Sequence, residues 1–304
     1  MPSLRLQGVL RAALLLFAWI SSAVFSQASM GPVLDHGILA AEHIKLWPGM
    51  PPGFDGAAGE ETQTPGDAVG NVSIPEIAVH HPAPGHSSGL GLLVCPGGSY
   101  TKVGTFSDGA GVVPKWVPAG ATVVVLKYRT KPPSRHVEAD ALADARRALR
   151  LVRAHAAAWG VDSRRIGLIG FSAGSHLALN LTTHADEGDP NSSDPVEREN
   201  CRPNFAVLLC PWPDGQTVAA FPLSHRTPPL FIASARDDRI APHAFAESLA
   251  GAARAAGVPT VLWTVEQGGH TAFSPGRRGE GAAWSDQVAA WLDALRLLQP
   301  RSDF

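Results

Sequence analysis

The chain has 304 residues, 45% hydrophobic and 17% charged, enough apolar material for a sizeable core and too much for a globally disordered chain. Its 25 lysines and arginines face 27 acidic residues, a formal net charge of −2. With no basic run standing out, that balance argues against nucleic acid or an anionic membrane as the main partner.

Arg5 and Arg11 precede an apolar stretch from Ala12 to Ile20, and small residues follow to Ser26 and Ala28. A basic start, a short apolar core and a small-residue end describe a secretory signal peptide over residues 1–28, which predicts a secreted or periplasmic protein. The apolar core is short for a membrane span, and an uncleaved anchor is the rival reading. Residues 29–304 are expected to form one domain with no membrane association after cleavage. The three cysteines are Cys95, Cys201 and Cys210. An odd number cannot all pair internally, and Cys95 and Cys210, each ending an apolar run, read as small buried hydrophobes. None has a metal-ligand spacing.

Residues 29–75 are rich in glycine and proline and read as an irregular lead-in, with a strand-like patch at His43–Trp47. Beyond them strand and helix signals alternate. Apolar runs at 76–80, 90–95, 121–127, 166–171, 205–210, 230–234 and 260–265 predict strands, most of them unbroken as in strands covered on both faces. Apolar residues at steps of three and four predict helices over 138–159, 242–256 and 283–298, and Gly160 and Gly257 read as stop signals for the first two. The alternation predicts an α/β fold, a mostly parallel sheet with helices on both faces. The polar stretch 186–204 reads as an exposed loop whose charges are solvated.

Between the strand at 166–171 and the helical stretch after it stands Gly170-Phe-Ser172-Ala-Gly174. On a tight strand-to-helix turn this pattern lifts the serine hydroxyl out of the sheet, where a base can reach it. A serine hydroxyl needs that base, commonly a histidine oriented by a carboxylate, and on this architecture the partners follow in the order acid, then histidine. Asp237 and Asp238 follow the strand at 230–234, and His270 stands on a glycine-flanked loop after the strand at 260–265. The Asp-Asp-Arg-Ile wording suits Asp237; counting from the flanking prolines favours Asp238, which is the preferred reading. Backbone N–H groups for an oxyanion are expected from Ala173, directly after the serine, and from Gly98 and Ser99 in Pro96-Gly-Gly-Ser-Tyr100.

With these parts in order the chain resembles the α/β-hydrolase superfamily, and more closely its secreted acetyl-xylan-esterase and feruloyl-esterase-like branch of small serine esterases. The residues that carry the likeness are Leu46-Trp47-Pro48-Gly49, Cys95 to Tyr100, Tyr128-Arg129, Asp144 to Ala148, the Arg165–Gly174 elbow with His176, and Gly268 to His270. Ser99 replaces a third glycine of that pattern, Ser175 replaces a glycine after the elbow, and Cys210 stands where an aromatic is usual. The resemblance implies an eight-stranded sheet and hydrolysis of a small-molecule or carbohydrate ester without metal or cofactor. Tyr100, Trp212 and Phe273 follow catalytic segments and are candidates to line the substrate pocket, core packing being the alternative. The rival readings are a peptidase of the prolyl-oligopeptidase type, whose gating domain this length does not accommodate, and a catalytically silent binding protein.

Overall fold

The structure, a computed structural model, describes residues 41–54, 59–64 and 68–298; the expected signal segment lies outside them. In chain order the strands are β1 (Glu42–Lys45), β2 (Thr62–Thr64), β3 (Ala68–Gly70), β4 (Glu76–His80), β5 (Gly89–Cys95), β6 (Lys102–Val103), β7 (Thr122–Lys127), β8 (Val161–Phe171), β9 (Phe205–Leu209), β10 (Leu230–Ala235) and β11 (Thr260–Val265). The α-helices are α1 (Val113–Trp116), α2 (Val137–Ala154), α3 (Ala173–Thr183), α4 (His243–Ala255) and α5 (Trp284–Ala294). Eight strands form one sheet in the order β1-β4-β7-β5-β8-β9-β10-β11. Its first two pairings are antiparallel and the rest are parallel. This is the α/β-hydrolase fold that the sequence predicts.

Alternation within the strands feeds two cores. Leu93 and Cys95 of β5, with Val124 and Leu126 of β7, face the core that α2, α3 and α4 cover. Leu92 and Val94, with Val123 and Val125, face the core that α1 and α5 cover. Successive side chains point to opposite faces of a sheet, so strands clad on both sides become unbroken Val/Leu runs. Each such side chain contributes about 1.5–3 kcal/mol when fully buried.

Four expectations need correction. The strand-like patch of the lead-in is borne out as β1, which extends the main sheet, but the rest is not wholly irregular: β2 and β3 form a small antiparallel sheet with β6. These strands of two or three residues are too short for an apolar run to announce them. The first long helix stops at Ala154, and β8 starts at Val161, earlier than the apolar run suggests. The connection is tied to the sheet by Thr122 Oγ1, which donates to the Trp159 carbonyl at 2.9 Å. The last helix ends at Ala294, so Leu295 and Leu298 lie past it, half-buried. The stretch 186–204 is a loop with Glu187, Asp189 and Arg198 exposed as expected, but several of its other charges are paired and not simply solvated. From α2, the Arg147 guanidinium pairs with Asp194 at 2.7 Å and Glu197 at 2.8 Å, and Arg150 pairs with Glu197 at 3.0 Å and with Asp186. Arg153 donates to the carbonyls of Asn200 and Arg202. Their partners lie 36 to 50 residues further along the chain, so the sequence around the arginines does not announce them. Cys201 is buried in this stapled loop, and all three cysteines are free and buried.

The motif residues outside the catalytic segments meet in a second network. The Asp144 carboxylate, wholly buried, accepts from Trp47 Nε1 at 3.1 Å, Arg129 N at 3.0 Å and Arg129 Nε and Nη2, both at 2.9 Å. Burial pushes its pKa up against the pull of Arg129 and Trp47. Next to Arg129, Tyr128 Oη donates to the Pro96 carbonyl at 2.8 Å, so the network ends at the loop after β5. Arg129→Met would strand the carboxylate without its cation. Urea denaturation is expected to show a loss of about 3–5 kcal/mol; an unchanged midpoint would mean the pair adds nothing net.

Candidate active site

In the parallel part of the sheet β5, β8, β9, β10 and β11 lie side by side, so the loops that follow them converge along one edge. These loops carry Pro96–Tyr100, Ser172, Cys210, Asp238 and His270. Ser172 sits between β8 and α3 at φ 52° and ψ −119°, and its N–H donates to the Leu209 carbonyl at 3.0 Å. A Cβ at Gly174 would lie 1.9 Å from the Cys95 carbonyl oxygen, so only glycine lets α3 start this close to β5. Ser175, unusual for the pattern, holds its hydroxyl 2.7 Å from the carbonyl oxygens of both Gly170 and Leu209, its one proton shared between them, and braces the turn from within.

The structure brings three of the expected residues into one line. His270 Nε2 lies 2.7 Å from Ser172 Oγ, and His270 Nδ1 lies 2.8 Å from Asp238 Oδ2. A carboxylate only accepts, so Nδ1 carries the proton and Nε2 is left to accept from the serine hydroxyl. The Asp238 side chain has no exposed surface, whereas His270 keeps 19% of its own. Burial alone would raise the Asp238 pKa; hydrogen bonds from His270, Ala241 N and Ile240 N outweigh it and hold the carboxyl below its ordinary value. Asp237 points elsewhere. Exposed, it accepts from Gly269 N at 2.8 Å and Gly268 N at 3.2 Å and so pins the histidine loop. Cys210, in place of the usual aromatic, donates its thiol to the His270 carbonyl at 3.3 Å, and burial pushes the pKa of that thiol up.

Around Ser172 the Gly97 N–H is taken by Asp108 and the Ser172 N–H by Leu209. Among the described residues no protein acceptor meets the N–H of Gly98, Ser99 or Ala173. Ser99 has φ 52°, a left-handed conformation, which accounts for the glycine usual at this position. Its side chain is exposed and leaves the N–H uncovered.

The three aromatic candidates part company. Phe273 has no exposed surface and packs at 5.6 Å against Trp263 of β11, so it belongs to the core and not to a pocket wall. Tyr100 is also buried; its hydroxyl is bonded to His176 Nδ1 at 2.8 Å, behind the Gly98–Ser99 turn. Both corrections have one cause: a large aromatic beside a catalytic loop supplies its floor as readily as its wall. Trp212 is half-buried, its ring tilted against Tyr100 and edge-on to His176. His176, quoted as part of the motif without a role, is thereby the prop of Tyr100, and burial lowers its pKa. Among the described residues two groups of side chains converge closely enough to share an ion: Cys210, Asp238 and His270, which already engage one another, and Glu138, His176 and Asp214.

The BD-FAE family model matches residues 82–207. An acetylxylan esterase of Xylanibacter ruminicola is 26% identical over 186 residues, covering 52% of this chain and 36% of that protein. Endo-1,4-beta-xylanase B of Butyrivibrio fibrisolvens is 26% identical over 203 residues, 59% of this chain and 32% of that protein. The chain thus spans about a third of the length of the curated relatives it matches. Among solved structures, the acetyl ester-xyloside bifunctional hydrolase of Caldicellulosiruptor lactoaceticus superposes with a TM-score of 0.68 at 28% identity, over 84% of this chain and 97% of that one. Esterase 2 of Thermogutta terrifontis shares the fold, with a TM-score of 0.62 at 22% identity over 86% of this chain and 97% of that one. Fold, order of motifs and these matches together give the chain an α/β-hydrolase fold, and its likeness is to esterases of the acetylxylan-esterase-like branch.

Proposed function

We propose that the chain is a serine carboxylesterase of short acyl esters, acetyl above all, carried on a small alcohol or a plant polysaccharide. The observation that carries the reading is the unbroken line from Ser172 Oγ through His270 to the buried Asp238 carboxylate. Ser172 Oγ attacks the acyl carbonyl while its proton passes to His270 Nε2, and Asp238 stabilises the imidazolium that forms. The N–H groups of Gly98, Ser99 and Ala173 receive the negative charge on the carbonyl oxygen. When the intermediate collapses, His270 returns the proton to the departing alcohol. A water, deprotonated by His270, then attacks the acyl-serine and releases the acid. The acetyl preference leans on the acetylxylan esterase and the acetyl ester-xyloside hydrolase among the relatives. Export of residues 29–304 as one domain, after loss of residues 1–28, belongs to the same proposal.

The test is hydrolysis of p-nitrophenyl acetate, butyrate and octanoate, with acetate release from acetylated xylan measured alongside. Turnover is expected to fall from acetate to octanoate, and xylan to lose acetate. Cleavage of anilide or peptide substrates with no turnover of any ester would replace this reading with the peptidase one.

A further inference from the structure

Asp108 is a half-buried carboxylate in the tight turn Thr105–Gly109 that follows β6, and no part of the acyl-transfer scheme above uses it. Three hydrogen bonds join this turn to the loop after β5 in a closed ring. Gly104 N donates to the Gly97 carbonyl at 2.9 Å, Asp108 N donates to the Gly104 carbonyl at 3.1 Å, and Gly97 N donates back to Asp108 Oδ2 at 3.1 Å. The ring presses on the nucleophile. A Cβ at Gly97 would stand 2.9 Å from Asp108 Oδ2, 3.1 Å from the Phe171 carbonyl oxygen and 3.3 Å from Ser172 Cβ, so carboxylate, loop and serine meet around one point. Gly97 immediately precedes the two residues whose N–H groups are unclaimed.

We infer that Asp108 is a positioning residue of this site. Its carboxylate fixes the Gly97–Ser99 loop against Ser172. The side chains bonded to His270 are Asp238 after β10, the Cys210 thiol after β9 and Ser172 before α3; Asp237 is engaged with Gly268 and Gly269. Burial raises the Asp108 pKa, and the Gly97 N–H and His270 oppose that rise. A donor pair for an oxyanion is effective only when its geometry is set before the charge develops, and a bonded, crowded carboxylate at Gly97 supplies that restraint.

The inference rests on Ser172 as the nucleophile and not on the choice of ester, so the experiment carries two readouts. One is kcat and KM for p-nitrophenyl acetate across pH. The other is the rate of capture by a fluorophosphonate, in which a bond forms between Ser172 Oγ and phosphorus, fluoride leaves, and the serine proton passes to His270. Asp108→Ala is expected to lower kcat and the capture rate about 10–100-fold with KM little changed. Asp108→Asn retains an oxygen for the Gly97 N–H, so its loss is expected to be about three- to tenfold. Should Asp108→Ala fail to fold, Asp108→Asn decides alone. Capture and turnover within twofold of the parent in the folded variants would overturn the inference. If the parent turns over no ester yet is captured at Ser172, the esterase reading fails, and the capture rates of the variants still judge Asp108.

Discussion

Replacing Ser172 by alanine is expected to lower ester turnover by roughly 10⁴–10⁶-fold and to leave the fold standing. The lost atom is the one that attacks, and nothing near it can take over: Ser175 commits its hydroxyl to two carbonyls beneath the turn. The backbone loses no bond, because the N–H at position 172 still reaches the Leu209 carbonyl and Gly174 still admits Cys95. Circular dichroism and a thermal scan of the variant should therefore overlay those of the parent, while p-nitrophenyl acetate turnover falls to the level left by binding alone. Activity within tenfold of the parent would remove Ser172 from its proposed role.

Asp238→Asn is expected to cost nearly as much, about 10⁴-fold in kcat, with a far smaller change in Asp237→Asn. The reason lies in which atoms surround the two carboxyls. Asp238 Oδ1 accepts from Ile240 N at 2.8 Å and Ala241 N at 2.9 Å, so the oxygen of an asparagine must stay there. Its amide NH₂ then faces His270 Nδ1, which has to become the acceptor, and the imidazole proton moves to Nε2. In that tautomer the histidine donates to Ser172 and can no longer take its proton. Asp237 contributes two acceptors to the glycines before His270. The amide of Asp237→Asn would keep one of them, and a loss below about tenfold in kcat is expected. Steady-state kinetics on the two single variants decides the matter: the larger defect in Asp237→Asn would reverse the assignment.

The parallel sheet was legible because burial on both faces writes itself as continuous Val, Leu and Ile, as in 122–127 and 205–209. The serine, histidine and acid were legible because each stands just past such a run. Between neighbouring aspartates the chain offers two opposed cues, the wording for Asp237 and the count from the flanking prolines for Asp238. Only the turn after β10, which buries Asp238 and leaves Asp237 outside, separates them. Asp108 was missed for a related reason: a lone acid in a glycine-rich turn resembles any solvated carboxylate until the chain folds Gly97 onto it. The same holds for Arg147, Arg150 and Arg153, whose helical spacing places them on one side of α2 without naming the loop they bind. Phe273 and Tyr100 erred in the opposite direction, since nearness in sequence to a catalytic residue does not say on which side of the loop a ring falls.

At Ser172 a side chain is held at a positive φ of 52° with ψ −119°. Such a conformation costs the folded state about 1–3 kcal/mol, against a total stability of about 5–15 kcal/mol for an ordinary domain. A glycine there would be released from much of that cost and would be inert. Heat resistance and reactivity thus pull this position in opposite directions. A lineage drifting under pressure for stability alone would lose its nucleophile early, before the surrounding sheet showed any change.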